Sequence, residues 1–346
     1  MSELRRGAIH NRWVIVAPER GRRPSDFKRR RSELTDRMPD SCAFCVGRED
    51  DTPPELYRVS SPDGTGWAVR VVPNKYPALQ THDALGRESV DGLYDRMHGV
   101  GAHEIVIETP DHHCEFADYD EAQAVRIVDT YIVRLMALMK DSRFHYIQLF
   151  KNHGKEAGAS LLHPHSQIIA TPIVPREVRE SLNIARAYYE RKERCLFCDL
   201  LLAELRAGER LVEDADGFVT WAPYDARFPF ELVICPKRHA HDFTSMTTEE
   251  KVGLARTLIR ATRRLKTLLG SVPYNFVLET TPNPVARPGK PGYWSTLPYD
   301  YHWRIAILPR LTHVAGFEWG TGFCINPMPP EQAAAYLRDV EIPEVT

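Results

Sequence analysis

The chain has 346 residues, 43% of them hydrophobic, with 45 Lys and Arg against 47 Asp and Glu for a formal net charge of -2. That length holds two ordinary domains or one large core, and the near-neutral balance excludes the basic excess that a nucleic-acid or anionic-membrane partner calls for. No run approaches the roughly 18 apolar residues of a spanning helix, and Met1-Ser2-Glu3-Leu4-Arg5-Arg6 lacks a signal-peptide core, so the expected compartment is the cytoplasm.

Taken in order, Asn11-Arg12-Trp13-Val14-Ile15-Val16-Ala17-Pro18 reads as a strand. Two basic tracts follow, Arg20-Gly21-Arg22-Arg23-Pro24 and Lys28-Arg29-Arg30-Arg31; in a neutral chain the second reads as a solvated face. Cys42-Ala43-Phe44-Cys45 is a Cys-x-x-Cys pair, and Val72-Pro73-Asn74-Lys75-Tyr76-Pro77-Ala78-Leu79 is rich in turn residues. A polar segment, roughly 81–101, leads to an alternating strand over 104–108 and to Pro110-Asp111-His112-His113-Cys114. A helix fits 120–140, with Val125, Val128, Ile132, Leu135 and Met139 on one apolar stripe. A strand over 146–150 follows, then Asn152 and a flexible loop from Gly154 to Gly158.

The next stretch is Leu161-Leu162-His163-Pro164-His165-Ser166-Gln167-Ile168-Ile169-Ala170. In an extended chain alternate side chains share a face, so His163, His165 and Gln167 point the same way. An imidazole can attack phosphorus at neutral pH, and an amide in phase with it can hold the phosphate oxygens.

After Thr171-Pro172 the order starts again: Cys195-Leu196-Phe197-Cys198, a strand ending in Pro236-Lys237-Arg238-His239, a helix over 247–269, a strand over 275–279, and His302-Trp303-Arg304-Ile305-Ala306. That helix opens on the capping box Thr247-x-x-Glu250 and turns Leu254, Leu258, Ala261, Leu265 and Leu268 inward. Aligning the copies sets His302 on His163, Arg304 on His165 and Ala306 on Gln167. The second copy therefore lacks both the nucleophile and its amide, and one catalytic centre per chain is expected.

Seven cysteines, four of them in two Cys-x-x-Cys pairs, read in a reducing compartment as metal ligands rather than a disulfide framework. A pair of thiolates with two distant histidines has the ligand chemistry of a closed tetrahedral zinc site. His113, Cys114 and His241 compete with their neighbours as ligands, and a redox or a metal-free structural role for either pair remains open at this stage.

His163-Pro164-His165-Ser166-Gln167 resembles the His-x-His-x-Gln signature of the galactose-1-phosphate uridylyltransferase family, the nucleotidyltransferase branch of the histidine-triad superfamily. The resemblance implies zinc on Cys42, Cys45, His112 and His163, a second metal on Cys195, Cys198, His239 and His302, and no organic cofactor. It implies His165 as nucleophile, with Gln167 on the non-bridging oxygens, and nucleotide contacts from Arg20, Arg23, Asn74, Asn152, Gly158 and Ser160. Gly316-Phe317-Glu318-Trp319-Gly320-Thr321-Gly322 resembles the hexose-binding segment, which makes Phe317 and Glu318 sugar-binding residues. Where relatives carry His-x-His and a nearby lysine, this chain has His302-Trp303-Arg304 and Thr312-His313, a departure that bears on the hexose-phosphate grip.

The expected fold is α+β, two fused histidine-triad-like halves, 1–172 and 173–346, each an antiparallel half-barrel sheet with packed helices. The expected function is ping-pong nucleotidyl transfer through a nucleotidyl-histidine, in the cytoplasm and in a homodimer. Its partners are a nucleotide sugar and a sugar 1-phosphate or inorganic phosphate. UDP-glucose–hexose-1-phosphate uridylyltransferase stands first. The family's ADP-glucose phosphorylase branch, which Asn11-Arg12-Trp13-Val14-Ile15 and Gly320-Thr321-Gly322-Phe323-Cys324-Ile325-Asn326-Pro327 also resemble, stands second. A non-catalytic, zinc-stapled nucleotide binder is the alternative of another class.

Overall fold

The computed structural model describes residues 1–20, 24, 42–81, 84–284 and 294–345. Its first nine strands are β1 (Glu3–Arg6), β2 (Trp13–Val16), β3 (Tyr57–Ser60), β4 (Trp67–Pro73), β5 (Glu88–Val90), β6 (Tyr94–Arg96), β7 (Ala102–Ile107), β8 (Tyr146–His153) and β9 (His165–Thr171). The remaining six are β10 (Leu211–Ala215), β11 (Phe218–Trp221), β12 (Leu232–Pro236), β13 (Tyr274–Glu279), β14 (Arg304–Pro309) and β15 (Cys324–Asn326). The α-helices are α1 (Glu121–Met139), α2 (Arg176–Lys192), α3 (Leu196–Ala207), α4 (Thr248–Leu269), α5 (Leu297–Asp300), α6 (Gly316–Thr321) and α7 (Pro330–Asp339).

The architecture is α+β and built twice over. Ten strands form one sheet in the order β10-β11-β12-β14-β13-β8-β9-β7-β4-β3, so β10, β11, β12, β14 and β13 repeat the path of β3, β4, β7, β9 and β8. Every pairing in it is antiparallel. The two five-stranded units join edge to edge through β8 and β13, where Phe150 faces Val277. That junction abolishes the two open edges a separated pair of sheets would leave exposed. β1, β2 and β15 form a separate small sheet in which β15 runs parallel to β2 and ties the two ends of the chain together.

One face of the large sheet carries α1 and α4. Side chains alternate along β9, and Ile168 and Ala170 join the main core with Ile127, Val128, Tyr131 and Leu135 of α1. α4 completes that layer with Leu254, Leu258, Ala261, Leu265 and Leu269. Its predicted capping box is present: the Thr247 side chain accepts from the Glu250 amide, and the Glu250 carboxylate accepts from the Thr247 amide. The Asp120 carboxylate caps α1 in the same way, accepting from the Gln123 amide at 2.6 Å.

Both stripes are corrected in detail. Val125 and Met139 are only partly buried, because α1 packs on both the sheet and α4 through the wider arc of Ala124, Ile127, Val128, Tyr131, Ile132, Leu135 and Leu138. At the end of α4, Leu269 rather than Leu268 is fully inside. The polar segment of roughly 81–101 carries the β5–β6 hairpin. Among the described residues, no helix is long and apolar enough to cross a membrane.

Candidate active site and metal clusters

The face of the sheet turned away from α1 and α4 bears the chemistry, and in the second half Leu201 of α3 packs on that same face against Val219, Trp221 and Val233. His165 and Gln167 lie there on β9 with Ile105 and Ile107 of β7 beside them, and Phe150 of β8 pairs with Gln167. Buried Phe44, from the first Cys-x-x-Cys turn, sets its ring edge-on to both histidines, 6.0 Å from His163 and 5.6 Å from His165.

His163 is fully buried just before β9, and its Nε2–H donates to the Thr109 carbonyl at 2.7 Å. That bond turns Nδ1 toward the thiols, 3.8 Å from Cys42 Sγ and 3.7 Å from Cys45 Sγ, while His112 Nδ1 lies 3.3 Å from Cys45 Sγ. All four ligand atoms fall within 4.8 Å of one another. Metal bonds of about 2.0–2.3 Å in a tetrahedron place ligand atoms about 3.3–3.8 Å apart, so Cys42, Cys45, His112 and His163 can hold a metal ion with little movement. His112 is buried and takes the fourth place; its competitor His113 is exposed.

The catalytic candidate follows two residues later. His165 Nδ1–H donates to the His163 carbonyl at 2.8 Å, leaving the Nε2 lone pair uncommitted. Burial holds the His165 ring below the usual imidazole range and takes His163 down to about 4. Both are neutral at pH 7, the form that gives a lone pair to a metal or to phosphorus. Gln167 is held by a residue the sequence reading passed over: His103 Nε2–H donates to its Oε1 at 2.8 Å. The NH2 of Gln167 is then the end left to face a ligand. His103 Nδ1 in turn accepts from Asn74 Nδ2 at 3.3 Å, and Asn74 Oδ1 accepts from the Tyr76 amide at 2.9 Å. Asn74 thus closes a turn and braces His103.

Asn152, two residues beyond Phe150 on the same strand face, is anchored through Oδ1 by Asn275 Nδ2 at 2.8 Å. The same Asn275 amide reaches the Ala157 carbonyl at 2.8 Å and so fixes the loop that ends at Gly158. Gly158 has φ +91°, a left-handed conformation that a side chain would strain. Ser160 and Arg20 are exposed; Arg23 lies outside the described residues, as does the tract Lys28-Arg29-Arg30-Arg31. Phe317 and Glu318 sit on α6, where Glu318 accepts from the Ala315 amide at 3.0 Å and Phe317 rests on Phe323. Among the described residues, no hydrogen bond or ring contact joins either to His165 or Gln167.

The second half repeats the ligand cluster and not the nucleophile candidate. Cys198 Sγ lies 3.2 Å from His239 Nδ1 and 3.5 Å from His302 Nδ1, and with Cys195 the four ligand atoms again fall within 4.8 Å of one another. The His239 ring is oriented by donation from Nε2 to the Pro298 carbonyl at 2.9 Å. His239, not His241, is the ligand candidate. Arg304 stands where His165 does and pairs with Glu279, and the nearby Arg227 pairs with Glu231 at 2.9 Å. These charges line a cavity of about 270 Å³ and neutralise one another inside it.

Comparison with known proteins agrees with this arrangement. Residues 1–175 match the galactose-1-phosphate uridyl transferase N-terminal domain, and residues 147–344 match its C-terminal domain. An ADP-glucose phosphorylase of Arabidopsis thaliana is 36% identical over 98% of this chain and 93% of its own. A galactose-1-phosphate uridylyltransferase of Thermotoga maritima is 29% identical over 99% of both chains. The crystal structure of an Arabidopsis thaliana ADP-glucose phosphorylase with bound ADP-glucose superposes with a TM-score of 0.82 at 35% identity, covering 99% of this chain and 100% of that one.

Proposed function

The chain belongs to the galactose-1-phosphate uridyl transferase family and is a nucleotidyltransferase of sugar nucleotides, and on that premise we propose that it carries the nucleotidyl group on His165 and passes it to inorganic phosphate. The observation that carries the covalent step is the His165 ring, with Nδ1–H engaged by the His163 carbonyl and Nε2 bare beside Gln167. The Nε2 lone pair attacks the α-phosphorus of the nucleoside-diphosphate sugar. The Nε2–P bond forms, the bridging P–O bond breaks, and the sugar 1-phosphate leaves with the electron pair. An acceptor phosphate oxygen then displaces Nε2 and restores the neutral ring. Through both steps Nδ1 keeps its proton on the His163 carbonyl, and the Gln167 NH2 holds a non-bridging oxygen.

ADP-glucose with phosphate is the pair we favour, which reverses the order the motif alone suggested. Its support is the 36% identity and 0.82 TM-score to the Arabidopsis thaliana phosphorylase. Uridylyl transfer to hexose 1-phosphate is the second reading, supported by the Thermotoga maritima relative. Mass spectrometry of the protein mixed with ADP-glucose is expected to show an adenylyl adduct that inorganic phosphate discharges as ADP. An adduct formed only from UDP-glucose and discharged only by galactose 1-phosphate would replace the first reading with the second.

We read residues 1–172 as the half that reacts and 173–346 as the half that scaffolds, in a cytoplasmic homodimer, with Arg20, Arg23, Asn74, Asn152, Gly158, Ser160 and Gln167 around the nucleotide and Phe317 and Glu318 on the sugar. Zinc is the ion we assign to the first cluster, since two thiolates and two imidazoles suit it and its role there is to fix His163. His103→Ala, which frees the Gln167 amide to turn, is expected to slow adduct formation by about 10-fold to 100-fold, as loss of orienting partners commonly does. Single-turnover rates would check it.

A further inference from the structure

Beneath the nucleophile, on the helix side of the sheet, lies a charged cluster that the mechanism above does not use. Glu108 is fully buried and Lys151 nearly so, and Lys151 Nζ donates to Glu108 Oε2 at 2.6 Å. The same ammonium donates to the backbone carbonyl of His165 at 3.3 Å. Ser166, the residue between nucleophile and amide, donates its hydroxyl to Glu108 Oε1. Tyr131 and Tyr119 complete the set, donating to Glu108 at 3.0 Å and 3.1 Å. Burial alone would raise the Glu108 pKa, yet Lys151 and the hydroxyl donors hold it below the usual carboxylate value, so the group is an anion in a saturated pocket.

The chain contains its own control. The strand register sets Ile105, Gln167 and Phe150 of the first half against Val233, Ala306 and Val277 of the second. Stepping one residue along the strands sets Leu278 on Lys151 and Ile305 on Ser166, and stepping three residues on from Ile105 and Val233 sets Pro236 on Glu108. Asp120 and Thr247 cap α1 and α4 at the same sequence separation as Phe150 and Val277, which sets Leu258 on Tyr131 and Met246 on Tyr119. All five counterparts are apolar and buried. The same position in the fold therefore closes without a charge, and a buried ion pair is at best an even exchange for hydrocarbon. The cluster is present only where His165 is present, and it grips the backbone at His165 and the side chain of Ser166.

We propose that Glu108 and Lys151 are positioning residues that hold the β9 backbone at His165 while the Nε2–P bond forms and breaks. This rests on the reading of His165 as nucleophile. Bond formation pulls the ring toward phosphorus; an ammonium on the His165 carbonyl and a carboxylate on Ser166 keep Nε2 and the Gln167 amide in register against that pull. A misplacement of about 1 Å costs on the order of 100-fold in rate.

The decisive variant is the double Glu108→Gln/Lys151→Met, which removes both charges, leaves no unpaired ion and keeps an acceptor for the hydroxyls. Either single variant strands a charge and is expected to melt well below the wild type, while the double recovers much of that loss. The double is nevertheless expected to form the nucleotidyl adduct about 100-fold more slowly in single turnovers, with its Kd for ADP-glucose within about 2-fold of the wild type, because the cluster lies behind the sheet from the ligand. Ser166→Ala, which leaves the ion pair intact, is expected to slow the same step about 10-fold, a fraction of that effect. Wild-type adduct rates in the double variant and in Ser166→Ala would overturn the proposal and leave the cluster a purely structural device. If the wild type itself forms no adduct on His165, the nucleophile reading fails first and takes this inference with it.

Discussion

His165→Ala is expected to abolish the nucleotidyl adduct and to lower turnover by at least about 10⁴-fold, the scale on which removing an enzyme nucleophile acts. Among the described residues, the neighbouring imidazoles are already engaged. His163 offers Nδ1 to the metal cluster and Nε2 to Thr109, and His103 is engaged through both nitrogens. The fold should survive, because the alanine leaves the ladder between β7 and β9 intact and the metal ligands untouched. The checks are intact-protein mass spectrometry after mixing with ADP-glucose, steady-state turnover and a melting curve. Gln167→Ala should act less severely, by about 10² to 10³ in kcat, since it removes one donor to the phosphate oxygens and not the reacting atom. Adduct retained in His165→Ala would move the chemistry to another residue; equal losses in both variants would make the amide as indispensable as the ring.

The parts of this site written in adjacent residues were legible in the sequence. A two-residue period put His163, His165 and Gln167 on one side of the chain at β9, and comparing the copies separated the duplicated ligand candidate from the unduplicated nucleophile candidate. The structure brings the eight proposed ligands together as two sets of four and chooses His112 over His113 and His239 over His241, which spacing alone left open. What stayed hidden depends on partners from distant strands. His103 reaches Gln167 across β7 and β9, and Asn275 reaches Asn152 across the β8–β13 seam. Glu108 ends the strand expected over 104–108 and Lys151 follows the one expected over 146–150, and only the fold buries them against each other. The seam itself and the β2–β15 pairing join segments whose separation no local pattern encodes. The helix stripes slipped for a related reason: α1 and α4 pack on each other as well as on the sheet, so the buried arc is wider than a single-faced helix requires.

Breaking the two metal clusters is expected to have unequal consequences, although their ligand sets are the same. In the first, a bound metal would fix the ring of His163, whose carbonyl, two residues before the proposed nucleophile, holds the proton on His165 Nδ1. Cys42→Ser should therefore lose one equivalent of zinc, lower stability and slow adduct formation by at least about 100-fold, since both the tautomer and the aim of His165 depend on that carbonyl. The stability loss should be roughly 3–5 kcal/mol, part of the about 10–16 kcal/mol that a tetrahedral zinc site contributes to a small domain. In the second cluster the residue two places after His302 is Arg304, bound to Glu279, so no reacting group depends on the ring of His302. Cys195→Ser should likewise lose one equivalent of metal and some stability, since buried Cys195 stands at the N-cap position of α3 and its thiol donates to the Asp300 carbonyl at 3.5 Å. Its adduct rate should stay within about 3-fold of the wild type, because no aimed group moves. Metal content by elemental analysis, denaturant unfolding and single-turnover rates on the two variants separate these effects. A Cys195→Ser protein that retains its stability but forms adduct as slowly as Cys42→Ser would show that the second half governs the chemistry, and the division of labour between the copies would have to be redrawn.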